Sequence, residues 1–530
     1  MYRLPLILLA TALTACSTME TRYGTSQTVP GDADYPAQLF SNTEESEPAA
    51  TVNEEIAAVE VDITPAPPTD VWQRIRDGFT LEDSDHPRLQ RQLDWYVRHP
   101  AYMQRVSERA TPYMYHVIEI VEENEIPSEL ALLPIVESAF QPFAYSHGRA
   151  AGIWQFIPST GRLYGLQQNW WYDGRRDVYA STDAAVALLK DLSRQFDGDW
   201  MLALAAYNSG PGTVRKAIRR NKKRGKPTDF WSLKLPKETR AYVPKLLALK
   251  KLIADPAAYN LDLPAIPNKP YLAQVELSSQ IDLARAAELA DISLDELYRL
   301  NPGYNRWATA PDGPHHLLIP LDSVDFFAEN LKALPPEQRI RWVRHRIKSG
   351  ETLSTIAMRY NTSMSTIKQV NGIRGTHLRA GHSLTIPVAS QSASSYRLSA
   401  AQRKKSLQNQ PRKGVKVVHI VQSGDTFWDL AQRHKVNVRS LAKWNGMAPR
   451  DPLTPGQKLV IWSRSGIDTS SLQAAVLALP QPRTVTKRIG YKVRRGDSLA
   501  KISRKFRVSV SQLKRWNNLP EGKYLQPGQR

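Results

Sequence analysis

The sequence predicts a multidomain α+β chain: a mainly α-helical domain over residues 71–270, followed by small βααβ units on linkers. Three observations carry this. At 530 residues the chain is too long for one hydrophobic core, so several domains are expected. Between residues 71 and 270 apolar residues recur at helical spacing, and no period-two strand is sustained. Beyond that region one pattern repeats, which marks an array of similar units.

Residues 1–15 read as an export signal. Arg3 supplies a positive start, and Leu4, Leu6, Ile7, Leu8, Leu9, Ala10 and Leu13 form an apolar stretch. Spanning a bilayer takes roughly 20 residues, so this stretch is too short. It ends at Leu13-Thr14-Ala15-Cys16, which resembles the lipobox of bacterial lipoproteins; Cys16 is the only cysteine. The resemblance implies cleavage before Cys16 and its acylation, anchoring the chain in a lipid bilayer without a transmembrane helix. Ser17 rather than Asp follows the cysteine, which by the same resemblance implies the periplasmic face of the outer membrane. The competing reading is an incidental thiol. A lone cysteine forms no intrachain disulfide.

Residues 16–70 are acidic and rich in Pro, Ser, Thr and Ala, with Glu44, Glu45, Glu47, Glu54 and Glu55 among them. Such a stretch buries too little apolar surface to offset the entropy of ordering and reads as a tether. The formal charge of +20 points to a polyanionic partner. Export argues against nucleic acid and for the cell wall with its carboxylates.

In the helical domain, Tyr113, Val117 and Val121 recur every four residues. Ala185, Leu188, Leu189, Leu192 and Phe196 make a second stripe, with Ser181 or Thr182 as its expected cap. A third helix, from Trp200 to Tyr207, is stopped by Ser209-Gly210-Pro211-Gly212. The basic run 215–226 reads as a solvated helix face and loop, with a wall-facing patch as the alternative.

Four motifs in this domain carry chemistry. Glu137, in Leu132-Leu133-Pro134-Ile135-Val136-Glu137-Ser138-Ala139-Phe140, is flanked by apolar residues. Apolar surroundings disfavour the charged carboxyl and raise its pKa, as a general acid near neutrality requires. A buried structural ion pair fits the local sequence equally well. The second motif runs from Ala144-Tyr145-Ser146 to Gly152-Ile153-Trp154-Gln155-Phe156. The third is Ala206-Tyr207-Asn208-Ser209-Gly210, and the fourth Glu238-Thr239-Arg240-Ala241-Tyr242-Val243-Pro244. Together, in this order, they resemble the lytic transglycosylase family, which has a lysozyme-like fold. The resemblance spans roughly residues 88–250.

By position, the resemblance implies that Glu137 is a single catalytic acid/base and that Ser138, Ser146, Gln155, Tyr207, Asn208 and Tyr242 line a sugar cleft. Trp154 stands where the family has Met, so the sugar contact there is expected to differ. The plainer reading of Trp154, Tyr207 and Tyr242 is core packing. Most glycosidases use two carboxylates. None lies near Glu137 in sequence, although Asp173, Asp177 and Asp183 could return in space. The family instead cleaves the MurNAc-GlcNAc bond by letting the C6 hydroxyl of MurNAc attack its own C1, giving a 1,6-anhydro product. The alternatives are a water-using muramidase or chitinase, or an inactive wall-binding lipoprotein. Neither a metal nor another cofactor is expected. The 11 histidines show no ligand spacing, and His315-His316 reads as surface.

The repeat starts at Val343, Val418 and Tyr491. Each unit reads as a strand, a turn at Gly350, Gly424 or Gly496, and a helix capped by Thr352, Thr426 or Ser498. An Asn follows the Gly by 21 residues: Asn371, Asn445 and Asn517. Closing strands are expected at Ser383 to Pro387 and Lys458 to Trp462. In the third copy the chain ends at Arg530, before that strand. The repeats resemble LysM modules, which bind N-acetylglucosamine-containing glycans. The units are placed at 343–388, 417–463 and 489–530, and the six turn residues just named are expected to contact glycan. An eroded copy is placed at 271–322, with Gln280 in the Gly position and Asn301 in the Asn position. Linkers rich in Ser, Gln, Pro and Lys at 389–415 and 463–488 are expected to separate the units as beads. The partner is therefore peptidoglycan glycan, and the chain is expected to be monomeric.

Overall fold

The structure is a computed structural model; it describes residues 68–463 and, apart from 507, 509, 520–524 and 530, residues 490–530. The export signal, Cys16, the tether up to residue 67 and the linker 464–489 lie outside the described residues.

The first domain is helical, as the periodicity predicts, and no strand occurs among its described residues. Its helices are α1 (Val71–Asp77), α2 (Pro87–Val97), α3 (Pro100–Ala110), α4 (Met114–Glu123), α5 (Leu133–Ser138), α6 (Pro158–Leu163), α7 (Val178–Gln195), α8 (Trp200–Ser209), α9 (Pro211–Lys222) and α10 (Thr239–Ala254). Helix α8 is apolar all round, and Leu202, Ala203, Leu204, Ala205 and Ala206 are all buried, which puts it at the centre with α7, α9 and α10 around it. It ends at Gly210, whose φ of +82° breaks the helix, and Pro211 opens α9 where no N–H is needed. Most of the two predicted stripes is buried: Tyr113, Val117 and Val121, and Ala185, Leu189, Leu192 and Phe196.

Two local expectations are corrected. The cap of α7 is Asp177, whose side chain accepts from the Ala180 N–H, and Ser181 and Thr182 lie buried one turn inside the helix. His316 is not at the surface: its ring meets Asp177 at 2.9 Å, and this pairing raises the imidazole pKa against its burial. The basic run 215–226 is, as read, mainly an exposed face of α9 and the turn after it.

The eroded copy and the first two full repeats fold as predicted; in the third, the strand expected at Tyr491 does not occur among the described residues. The eroded copy contains β1 (Leu272–Glu276), α11 (Leu283–Leu289), α12 (Leu294–Leu300) and β2 (His316–Pro320), and α13 (Val324–Ala333) packs on it. The first full repeat contains β3 (Arg341–Arg346), α14 (Leu353–Arg359), α15 (Met364–Val370) and β4 (Ser383–Val388). Then come a connector helix α16 (Ala400–Asn409) and the second repeat: β5 (Val415–Ile420), α17 (Phe427–Arg433), α18 (Val438–Trp444) and β6 (Lys458–Ser463). Helices α19 (Leu499–Phe506) and α20 (Val510–Trp516) belong to the third. In each of the first three units the two strands pair antiparallel.

The recurrent Asn has a structural cause. Asn445 donates to the carbonyls of Leu441 and Val460, both at 2.8 Å, and accepts the Val460 N–H at 2.7 Å. It thereby joins the end of α18 to β6. Asn301 and Asn371 make the same three bonds in their units. Asn445 is fully buried, so Asn445→Ala leaves strand groups unpaired and should destabilise the second repeat by about 2–4 kcal/mol. Asn371→Ala, at a partly exposed site, should cost less. Chemical unfolding of the two variants checks the order.

The segment 389–415, expected to be a linker, is folded. Tyr396 is buried in the core of the eroded unit, and Leu398 packs against it. The Ala400 N–H bonds the Asn305 carbonyl at 2.9 Å.

Candidate active site and glycan-binding turns

Glu137 lies at the end of α5, whose residues Leu133, Pro134 and Ile135 are buried. The helix stops because Ala139 and Phe140 take positive φ values of 52° and 53°. Such strain in non-glycine residues is held only where the surroundings over-determine it, and it concentrates at functional sites. Phe140 is fully buried, which holds the turn in place.

The four motifs meet through hydrogen bonds. The Tyr242 hydroxyl donates to Glu137 Oε1 at 2.6 Å. The Tyr207 hydroxyl donates to the Trp154 carbonyl at 2.8 Å. Ser138 Oγ lies within donating distance of the carbonyls of Ile153, at 3.0 Å, and Pro134, at 3.2 Å. Thr239 Oγ1 donates to Asn208 Oδ1 at 2.8 Å. Segments distant in sequence thus close around one carboxyl. Glu137, Ser138, Gln155, Tyr207 and Asn208 are each half-buried and open to a ligand, whereas Tyr242 is buried.

Burial raises the Glu137 pKa to about 7; the Tyr242 bond opposes this, the exposed Glu238 adds to it and Lys245 opposes it. Tyr242 and Tyr207 are held protonated by burial and by the nearby Glu137 charge. The three later acids are accounted for elsewhere. Asp173 holds Arg175 at 2.8 Å and Arg176 at 3.0 Å, Asp177 holds Tyr172 and His316, and Asp183 is exposed on α7. Among the described residues, Glu238 is the one other carboxylate whose charge acts on Glu137.

Ser146 stands apart from this ring. Its Oγ accepts the N–H groups of Gly148 and Ala150, at 3.2 and 3.0 Å, and so shapes its own loop. Gln155 donates to the Gly152 carbonyl at 2.8 Å from a backbone at φ +51°. Trp154 is a correction: it is fully buried and its indole N–H donates to Thr182 Oγ1 at 3.0 Å, so it is core rather than a sugar contact. Arg175 escaped the sequence reading. Its buried guanidinium bonds the carbonyls of Arg149 at 2.7 Å and Phe156 at 3.2 Å, holding both arms of this loop. A charged pair Arg175-Arg176 beside Asp173 and Asp177 was the only signal.

In the repeats, Gly350, Gly424 and Gly496 adopt φ values of +81°, +95° and +85°, which require glycine. Thr352, Thr426 and Ser498 accept backbone N–H groups three residues on, at 3.2, 3.1 and 3.2 Å, as helix caps. The acid between each pair was missed. Glu351, Asp425 and Asp497 each accept a backbone N–H three residues back and meet a side chain six back: His345 and His419 on strands β3 and β5, and Tyr491 in the third repeat. The turn N–H, followed by the His345 contact, holds the Glu351 pKa down at about 2. The repeated Gly-acid pair was the available signal. In the third repeat the N–H of Val493 meets the Gln529 carbonyl and that of Gly528 meets the Val493 carbonyl, both at 2.8 Å. The eroded unit differs: Gln280 bonds the Thr309 carbonyl at 2.7 Å, and the buried Asp282 takes the Tyr396 hydroxyl at 2.9 Å and the Ser390 N–H at 2.7 Å. Its turn is closed by the chain's own connector.

Comparison with known proteins agrees with this arrangement. The family model for the transglycosylase SLT domain matches residues 117–230, that for the LysM-like domain of lytic transglycosylase MltD matches 271–336, and that for the LysM domain matches 345–387, 419–462 and 491–530. The autolysin of Enterococcus faecalis is 31% identical over 186 residues, covering 35% of this chain and 24% of that protein. The crystal structure of the 70 kDa soluble lytic transglycosylase of Escherichia coli aligns with 35% of this chain and 32% of its own, at 20% identity and a TM-score of 0.25. Membrane-bound lytic murein transglycosylase D of Escherichia coli K12 is 39% identical over 414 residues, which is 76% of this chain and 87% of that protein. With 39% identity over 76% of this chain and 87% of that relative, the chain belongs to the membrane-bound lytic murein transglycosylase D family.

Proposed function

We propose that the chain is a peptidoglycan lytic transglycosylase in which Glu137 alone serves as acid and then as base. The observation that carries this is a desolvated yet accessible carboxyl, with a pKa near 7 and, among the described residues, only the exposed Glu238 as a second carboxylate acting on it. Protonated Glu137 gives its proton to the glycosidic oxygen between MurNAc and GlcNAc. The resulting carboxylate, steadied by the Tyr242 hydroxyl, takes the proton of the MurNAc C6 hydroxyl. That oxygen bonds to C1 as the bond to the leaving sugar breaks, so a 1,6-anhydro ring forms and no water is consumed. The nucleophile belongs to the substrate, and holding it close replaces a protein nucleophile.

Ser138, Gln155, Tyr207 and Asn208, each half-buried on the motifs that meet at Glu137, are proposed to hold the sugar, with Ser146 on the flanking loop. Gly350 and Thr352, Gly424 and Thr426, and Gly496 and Ser498 are proposed to present their turns to glycan in the LysM repeats. The lipobox sequence ending at Cys16, and a relative named membrane-bound, support an acylated anchor at the periplasmic face of the outer membrane. The chain is proposed to act there as a monomer.

Digestion of purified sacculi tests the chemistry. The expected products end in 1,6-anhydroMurNAc; reducing MurNAc ends would instead identify a hydrolase. The reactive form is the protonated acid, so kcat/KM should fall about tenfold per pH unit above pH 7. Glu238→Gln removes a negative charge that raises the Glu137 pKa, and should move this limb to lower pH.

A further inference from the structure

Expected as beads, the first two LysM repeats are instead bonded to the catalytic domain and its neighbours. The Trp171 indole N–H donates to Thr366 Oγ1 at 3.2 Å, and that of Trp307 to the Asn361 carbonyl at 3.0 Å, which seats the first repeat. The second repeat is seated on the catalytic loop itself. Asp451, between α18 and β6, accepts the Tyr145 hydroxyl at 3.1 Å and the Arg149 Nε at 2.8 Å. Its Oδ2 also accepts the Ala448 N–H at 2.8 Å, so the carboxylate is pinned within its own module. Only 11% of that side chain is exposed, unlike an ordinary surface pair.

Helix α16 braces the same junction. The Arg403 guanidinium lies 4.2 Å from the Phe143 ring, and the Gln408 amide donates to Asn445 Oδ1 at 2.8 Å. Phe143, Tyr145 and Arg149 bracket Ser146 and lead into the Gly152–Gln155 turn that Ser138 and Tyr207 bond. Meanwhile the turn of the second repeat stays open: Gln422, Ser423, Gly424 and Thr426, and Thr454, Pro455 and Gly456 opposite, are exposed. The contrast with the closed turn of the eroded unit is direct.

A module on a free tether supplies only local concentration and samples all orientations. A seated module also sets distance and direction, and the ordering is complete before substrate arrives. We propose that Asp451 latches the second LysM repeat to Tyr145 and Arg149 so that its open turn forms a fixed distal glycan subsite, held in register with Glu137. Asp451 is thus a positioning residue. This rests on the proposed roles of Glu137 and of the LysM turn, and the test separates them.

The full chain, Asp451→Lys, Arg149→Glu, the double variant and Glu137→Gln are compared on long uncrosslinked glycan strands and on a GlcNAc–MurNAc tetrasaccharide. Asp451→Lys and Arg149→Glu should each raise KM for long strands by about fivefold or more and broaden the product lengths, with kcat unchanged. Tetrasaccharide turnover should stay the same, and the double variant should recover the original KM. Chemical unfolding of Asp451→Lys that matches the original protein shows that the repeat still folds. Unchanged KM and product lengths, a gain in long-strand turnover, or an equal loss on the tetrasaccharide would each overturn the latch. Turnover surviving in Glu137→Gln would defeat the catalytic assignment instead.

Discussion

Glu137→Gln should lower kcat on peptidoglycan by about three orders of magnitude or more, with binding to sacculi unchanged. Positioned proton transfer contributes roughly 10²–10⁴-fold, and here one carboxyl is asked to carry both the donation and the abstraction. Gln keeps the shape and can still accept the Tyr242 hydroxyl, but it cannot move a proton. The same substitution should stabilise the fold at neutral pH. The Glu137 pKa is raised from its ordinary 4.5 to about 7, so between those values the folded state holds the proton that the unfolded state releases. Stability therefore falls as pH rises through that window, and the cost is complete above pH 7. Removing the ionisable group should recover up to about 3 kcal/mol at pH 8, less for the partial exposure of the site, and little at pH 4. Melting curves of both proteins at the two pH values measure it. A variant with more than a tenth of the original kcat would end the single-carboxyl mechanism.

Gly152→Ala should be the most damaging small substitution in the catalytic domain, costing about 4 kcal/mol or more and leaving little soluble, active protein. Gly152 sits at φ +80°, and a Cβ there would lie 1.8 Å from the Arg175 carbonyl oxygen and 2.8 Å from its carbon. Arg175 cannot yield cheaply, because Asp173 and the carbonyls of Arg149 and Phe156 pin its guanidinium. The turn would have to move instead. It would carry away the Ile153 and Trp154 carbonyls, within reach of Ser138 and bonded by Tyr207, and with them the wall beside Glu137. Gly148→Ala is the control: its Cβ would meet only Ser146 Oγ, at 3.6 Å, and melting should barely change. Equal melting temperatures for the two variants would show that the loop does not pack on Arg175.

Much of the architecture could be read from local pattern, because helices, turns and repeats are written in nearby residues. The stop at Gly210, the turn glycines and the threonine caps are decisions made within a few residues. Glu137 could be singled out because its neighbours are apolar, but its local sequence left a structural ion pair open. Tyr242, 105 residues away, donates to this carboxyl, and among the described residues no cation pairs with it at bonding distance. Ser181 and Thr182 illustrate the limit on the other side: both are good capping residues, and the fold used Asp177, which also takes Tyr172 and His316. Trp154, expected by resemblance as a sugar contact with core packing as the plainer reading, proved to be core, since helix α7 supplies Thr182 for its indole N–H.

By itself the sequence determined the helical domain, the βααβ units, the turn chemistry and the order of the four motifs. Each of these depends on short-range backbone preference or on spacing along the chain. Only the tertiary structure decided how the pieces meet: that Tyr242 bonds the Glu137 carboxyl, that the polar segment 389–415 folds, and that Asp451 reaches Tyr145 and Arg149. A polar or charged side chain reads alike in solvent and at a junction, because its energy is set by partners hundreds of residues away.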